Sequence, residues 1–113
     1  MNENRPVLIV TMDSIPGETL SPLGIATATI CLSKSLVADV FANAKNMTVG
    51  GELGAYTRML ETATQRVLKN LEARAKEMGA DAVVCFRLVT STVSSGAAEL
   101  IAYGTAVKFI DEK

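Results

Sequence analysis

Two cysteines, Cys31 and Cys85, are present among the 113 residues, and histidine is absent. Two thiolates can hold a soft ion such as Cu(I), with a methionine as a further ligand. A zinc site needs about four cysteine, histidine or carboxylate ligands at recognisable spacing, and this sequence has no such set. Buried cysteines act more often as small apolar residues. Cys31 and Cys85 are therefore candidate metal ligands, with core packing as the alternative.

The segment TVGGELGAY places Gly50, Gly51 and Gly54 at the expected start of a helix. Backbone N–H groups at a helix start can bind an anion. No Gly-Lys-Ser/Thr follows, so the segment is not a P-loop. The carboxylate of Glu52 would repel a phosphate as well. The pattern favours a tight connection between two helices, and an anion site is the alternative.

Arg87 is a charged residue within an otherwise apolar run, CFRLV. Such a charge lies at a sheet edge or is paired across a subunit interface, and ligand binding is the other reading. An enzyme site between subunits would have only the glycine segment, Tyr56 and Arg87 to build on. Without histidine, no Ser-His-Asp or Cys-His pair can form within the chain. We therefore expect a protein without enzymatic activity and without a cofactor.

The composition limits the class of protein and its partners. Hydrophobic residues make up 49% and charged residues 20%, which predicts one globular domain over residues 1–113. A net charge of −1 gives no field that would attract nucleic acid. No apolar run reaches the roughly 18 residues of a membrane span. The two thiols fit a reducing compartment, so we expect a cytoplasmic protein.

Hydrophobic patterns predict the elements that position these residues. Short runs rich in β-branched residues predict strands over 7–12, 23–32, 80–93 and 99–110, with Pro16-Gly17 and Pro22 marking a loop over 13–22. Periodic apolar stripes predict a shorter helix over 33–47 and a long one over 52–78. The expected fold is α+β in the order β-β-α-α-β-β. Its four-stranded, mainly antiparallel sheet packs against one long and one shorter helix.

Side-chain alternation predicts which strand residues share a face. Gly24, Ala26 and Ala28 form a small face that would admit a helix or a second subunit. In the third strand, one face holds Val84, Phe86 and Leu88, and the other holds Val83, Cys85, Arg87 and Val89. In the fourth, one face holds Ile101, Tyr103, Val107 and Phe109, and the other holds Leu100, Ala102, Gly104, Ala106 and Ile110. Both sheet faces are apolar and the helices cover only one, so we expect a homo-oligomer.

Three segments carry a resemblance to a known family. They are DVFANAKNMTVGGELGAY (39–56), AKEMGADAVVCFRL (75–88) and YGTAVKF (103–109). Their order is similar to that of the YbjQ-like family, labelled heavy-metal-binding proteins of unknown function. The resemblance covers nearly the whole chain and implies a single YbjQ-like domain that forms ring-like homo-oligomers, typically pentamers.

This chain differs from the family pattern at Glu52-Leu53 and Thr57. A metal ion is implied by the family label alone. A soft-metal or small-ligand binding protein with sites between subunits is the alternative to a purely structural assembly. Candidate ligand-site residues are Gly50, Gly51, Gly54, Tyr56 and Arg87.

Overall fold

The computed structural model describes residues 5–33, 51–94 and 97–111. Its elements are β1 (Leu8–Ile9), β2 (Thr19–Leu32), α1 (Gly51–Glu77), β3 (Ala82–Ser94) and β4 (Ala97–Ile110). The strands form one sheet in the order β1-β3-β4-β2. β1 runs parallel to β3, and the other two pairs are antiparallel. The predicted α+β class and mainly antiparallel sheet are therefore confirmed, with one parallel pair.

One helix, α1, is present in the part of the chain that the structure describes. Its bounds agree with the predicted 52–78 to within a residue at each end. The shorter helix predicted over 33–47 lies outside the described residues, apart from its first position, Ser33.

β2 is longer than the sequence predicts, because it begins at Thr19 and includes Pro22. Proline lacks an N–H donor and is tolerated mainly on outer strands. β2 is the outer strand beyond β4, and its pairing shifts register between Pro22 and Gly24. The predicted loop over 13–22 was therefore wrong in its last four residues.

α1 packs on the sheet through a stripe of small and aliphatic side chains at three- and four-residue spacing. Its fully or nearly fully buried residues are Ala63, Val67, Leu71 and Ala75. They form one core with the small residues that face them from β2 and β4, among them Ala26, Ala102 and Ala106. The small face predicted for β2 is confirmed as the surface that admits the helix.

Gly79 ends α1 in the left-handed conformation, with φ at 84°. The N–H of Ala80 donates to the carbonyl of Ala75 at 3.0 Å, and that of Gly79 donates to Lys76 at 3.0 Å. These bonds satisfy carbonyls of the last turn and reverse the chain toward β3.

β3 contains a bulge, because Cys85 and Phe86 together lie opposite Gly104 of β4. Cys85 has a φ of 56°, which non-glycine residues rarely adopt. Hydrogen bonds from the N-terminal segment hold this backbone in place. The N–H of Cys85 donates to the carbonyl of Met12 at 2.9 Å, and that of Phe86 donates to Val10 at 3.0 Å.

The extra residue at the bulge makes the predicted alternation of β3 wrong. Phe86 packs against the helix-side core together with Val83. Cys85 packs on the opposite side of the sheet together with Val84. A bulge leaves two residues opposite one, so it reverses the faces of every later residue relative to the earlier ones.

The sheet face away from α1 is divided into a covered and an uncovered part. Residues 10–18 connect β1 to β2, and Val10 and Ile15 of this connection pack over the lower part. Beneath them lies a second small core of Ala82, Val84 and Val107. The upper part of this face has no cover from the described residues.

Candidate functional site

The uncovered part of the sheet is an exposed surface, as expected from the sequence, and we call it the open face. It consists of Ile25, Thr27, Thr29, Arg87, Val89, Ile101 and Tyr103. The side chains of Ile25, Val89 and Tyr103 are exposed by 75%, 42% and 40%. Apolar side chains exposed together on one sheet face mark an interaction surface more often than scattered ones do.

Pairing between strands places Thr27, Tyr103 and Arg87 in one row across the open face. The guanidinium of Arg87 donates to the carbonyl of Phe86 at 2.8 Å and is exposed. No carboxylate of the described residues lies within ion-pair distance of it. The predicted position of Arg87 in a strand is confirmed, and the ion pair expected across a subunit interface stays a prediction.

A second row lies above the open face, on the same side of the sheet, and brings Cys31, Glu99 and Ser91 together. The Sγ of Cys31 lies 3.9 Å from Oε2 of Glu99, and the Oγ of Ser91 donates to Oε1 at 3.3 Å. Glu99 and Ser91 could not be recognised as neighbours of Cys31 from the sequence, because only the sheet register brings the three residues together.

Cys85 does not join this row. It lies level with Gly104, whereas Cys31 lies level with Glu99, five residues away along β4. At about 3.4 Å per residue, the two cysteines are at least about 17 Å apart. Because of this distance, the fold does not bring the two free thiols together as ligands of one ion within a chain.

The glycine segment is only partly described. Gly51 and Gly54 lie in the first turn of α1, and the backbone of Tyr56 follows two residues after Gly54 in the same helix. A Cβ added at Gly54 would lie 3.4 Å from the guanidinium of Arg58. Gly50 and the preceding turn lie outside the described residues. The anion site and the helix connection both remain predictions.

A basic groove at the lower end of the molecule was not anticipated. Arg5, Lys76 and Lys108 line it together with Asp81. Arg5 pairs with Asp81 at 3.7 Å, and Lys108 donates to the carbonyl of Gly79 at 3.2 Å. Two of its three cations are therefore already engaged by groups of the same chain.

No cluster of three or more Cys, Asp or Glu ligands that could hold a metal ion occurs in the described ranges. Among those residues, no helix is long and apolar enough to cross a membrane. The molecule is thus defined as a two-layer α+β domain with one open sheet face.

The chain belongs to the YbjQ family, described as "Putative heavy-metal-binding", whose family model matches residues 7–110. The resemblance seen in the sequence is confirmed. A UPF0145 protein from Methanosarcina acetivorans is 42% identical over 106 residues, covering 93% of this chain and 99% of the relative. One from Thermotoga maritima is 42% identical over 103 residues, covering 90% and 96%. One from Natronomonas pharaonis is 46% identical over 100 residues, covering 88% and 95%.

A solved structure shares this fold. It is a crystal structure of a protein with unknown function from Pediococcus pentosaceus, with a TM-score of 0.63 and 16% identity. The alignment covers 92% of this chain and 98% of that one. None of these relatives carries an enzymatic name.

Proposed function

We propose that the protein acts as a non-enzymatic homo-oligomer in which the open face is part of the contact between subunits. The oligomer is a ring, and the family resemblance favours a pentamer. The observation that carries this proposal is the exposure of Ile25, Val89 and Tyr103 together on one face of a sheet.

Burial of the open face between subunits would stabilise this assembly. Burial of apolar surface contributes about 25 cal/mol per Å² to stability. Covering several large apolar side chains that lie in water in the single chain would therefore stabilise an assembly substantially. A second copy of the chain is available at the same concentration as the first and presents the same surface. Arg87 lies among these side chains and would be paired or hydrogen-bonded when the face is covered.

Light scattering coupled to size-exclusion chromatography tests the proposal. The expected result is a mass that is a multiple of 11.9 kDa and constant over a range of loading concentrations. A species of 11.9 kDa at every concentration would overturn it. Native mass spectrometry of the same fraction gives the number of subunits and tests the pentamer separately.

The second candidate is a protein that binds a soft heavy metal between subunits. The contact between the Cys31 thiol and the Glu99 carboxylate favours it, since sulfur and oxygen ligands already lie 3.9 Å apart. One chain offers fewer ligands there than the roughly four of a closed site. A neighbouring copy that contributes the same pair would complete a four-ligand set. The family description points the same way.

Metal analysis of the purified protein after exposure to cadmium or zinc tests this second candidate. Cys31→Ser should abolish retention of the metal, and Glu99→Gln should weaken it. Cys85→Ser is the matched control, because Cys85 is remote from the site, and it should retain metal like the wild type. Absence of retained metal in the wild-type oligomer would contradict the proposal.

We further propose a cytoplasmic location. The two free thiols, Cys31 and Cys85, support it, because reducing compartments keep such thiols unpaired. Fractionation of cells that express the tagged protein is the direct test, and recovery in a secreted fraction would contradict it.

A further inference from the structure

The basic groove gathers positive charge from three separate parts of the fold. Lys76 comes from the last turn of α1, Lys108 from β4, and Arg5 from the segment that precedes β1. Asp81 is the one acidic side chain among the described residues that line it. The chain as a whole has a net charge of −1, so the groove departs locally from the overall charge. Clefts lined mainly by one sign of charge concentrate ions of the opposite sign.

The carboxylate of Asp81 already has two partners within the chain. Its Oδ2 accepts the N–H of Phe109 at 2.8 Å, and its Oδ1 lies 3.7 Å from the guanidinium of Arg5. The second distance is longer than the roughly 3.2 Å of a typical N–H···O hydrogen bond, so that contact is an ion pair only. The N–H groups of Arg5 are therefore available to a further acceptor.

The two lysines retain hydrogen-bond donors as well. A lysine ammonium has three of them, and Lys108 uses one on the carbonyl of Gly79 at 3.2 Å. Lys76 balances the negative end of the α1 dipole, which accounts for its place in the helix without using a donor. Both residues are exposed. Charged donors thus surround the groove without filling it.

The groove has the size of a small-molecule site. Its volume is about 440 Å³, within the roughly 300–1,000 Å³ of such sites. Gly79 lies on its wall, and a Cβ added there would meet no atom within 4 Å. Pro6 and Ala80 add two more short side chains to the lining. The space between the cations is therefore open, and a single phosphate group would fill only part of it.

We propose that the basic groove binds a small molecule that carries a phosphate or pyrophosphate group. Three cations and one carboxylate leave about two positive charges, which match the charge of a phosphate ester at neutral pH. Donors that come from three elements suit the oxygens of a tetrahedral phosphate better than those of a planar carboxylate, and arginine and lysine both bind phosphate. The groove is separate from the open face, so its ligand does not depend on the proposed oligomer.

Isothermal titration calorimetry of the full chain with inorganic pyrophosphate tests this site. The expected result is saturable binding of one ligand per chain that weakens as sodium chloride is raised. Lys76→Gln and Lys108→Gln should each weaken binding about tenfold, because each removes a charged donor. Lys69→Gln is the matched control and should bind like the wild type. It removes the same charge from the same helix, about 10 Å from Lys76 and beyond the screening length of about 8 Å at physiological salt.

Asp81→Asn distinguishes a ligand site from a purely structural cluster of charges. The variant removes the carboxylate that competes for Arg5 and keeps an acceptor for the N–H of Phe109. Pyrophosphate should therefore bind it several-fold more tightly than it binds the wild type. Circular dichroism checks that each variant is folded. Weaker binding by a folded Asp81→Asn protein would contradict the proposed electrostatics.

Two further ligands, titrated under the same conditions, define the chemical class. Glycerol 3-phosphate distinguishes the two carriers: whichever of it and pyrophosphate binds more tightly shows whether the groove takes a phosphate ester or a pyrophosphate, and either result supports the site. Citrate is a polyanion without phosphorus, and an affinity equal to that of pyrophosphate would overturn the assignment to phosphate. Absence of saturable binding, or equal affinity of the wild type and both lysine variants, would overturn the site itself.

Discussion

Gly104 of β4 lies so close to Val83 of β3 that a Cβ added to the glycine would be 2.5 Å from Cγ1 of the valine. The same atom would be 2.9 Å from the carbonyl oxygen of Val84 and 3.3 Å from Cα of Phe86. The absence of a side chain at Gly104 thus permits the bulge opposite it. That bulge sets which β3 side chains join the helix-side core and which reach the open face.

Gly104→Ala is expected to destabilise the protein, because the new methyl group would overlap backbone atoms that cannot move independently of the bulge. Overpacking of this kind costs about 1–3 kcal/mol. Urea unfolding followed by circular dichroism measures the change. Gly54→Ala is the control, since its added Cβ meets only the flexible Arg58 side chain and helical alanine is favoured by about 1 kcal/mol. Equal stability changes in the two variants would contradict the steric role of Gly104.

Cys85→Val is expected to destabilise the protein more than Cys31→Val does. Cys85 has a φ of 56°, and a β-branched side chain is strongly disfavoured there, by roughly 1–3 kcal/mol. Cys31 is an exposed strand residue, where valine changes stability by no more than about 0.5 kcal/mol. Thermal unfolding of both variants measures the two stability changes. A smaller effect at position 85 than at position 31 would contradict the left-handed backbone.

Asp81→Ala is expected to cost about 1–3 kcal/mol, because it removes the acceptor of a half-buried backbone donor. Oδ2 of Asp81 accepts the N–H of Phe109 at 2.8 Å, which fixes the end of β4 beside the start of β3. Asp81→Asn keeps a carbonyl acceptor and should cost less. Glu77→Ala removes the exposed pair with Arg74 and should cost at most about 0.5 kcal/mol. Chemical unfolding of the three variants checks this order, and an Asn variant as unstable as the Ala variant would contradict it.

Ile25→Asp is expected to reduce the assembly to monomers without unfolding the chain. Ile25 is 75% exposed in a single chain, so the change costs little there, whereas an unpaired carboxylate buried between subunits costs several kcal/mol. Light scattering gives the mass, and circular dichroism checks the fold. Ile110→Asp is the matched control, because Ile110 is 46% exposed but lies at the far end of β4. If the Ile25→Asp protein has the wild-type mass, the open face is not part of the contact between subunits.

The long helix and the inward side of β4 could be predicted closely, because both depend on local patterns. Ala63, Val67 and Leu71 repeat with helical spacing, and Gly79 supplies the left-handed residue that ends the helix. Alternation in β4 assigned Leu100 to one face and Val107 to the other, as the two cores show. Such patterns need no knowledge of distant contacts.

The faces of β3 could not be predicted, because nothing local in the sequence marks Cys85 as a left-handed residue. The bulge depends on Gly104, 19 positions later, and on the carbonyls of Val10 and Met12. The row of Cys31, Glu99 and Ser91 was missed for the same reason. Cys31 and Glu99 are 68 positions apart in sequence and meet only through the register of β2 on β4.

The sequence alone determined the family, the α+β class, the extent of α1 and the expectation that one sheet face would lack cover. These follow from composition, apolar periodicity and resemblance, which are properties of single segments. Only the tertiary structure decided the strand order, the parallel β1–β3 pair and the bulge in β3. Each of these depends on which distant backbone groups pair. The hydrogen-bonding groups of the backbone are the same at almost every residue, so the sequence does not mark which of them will pair.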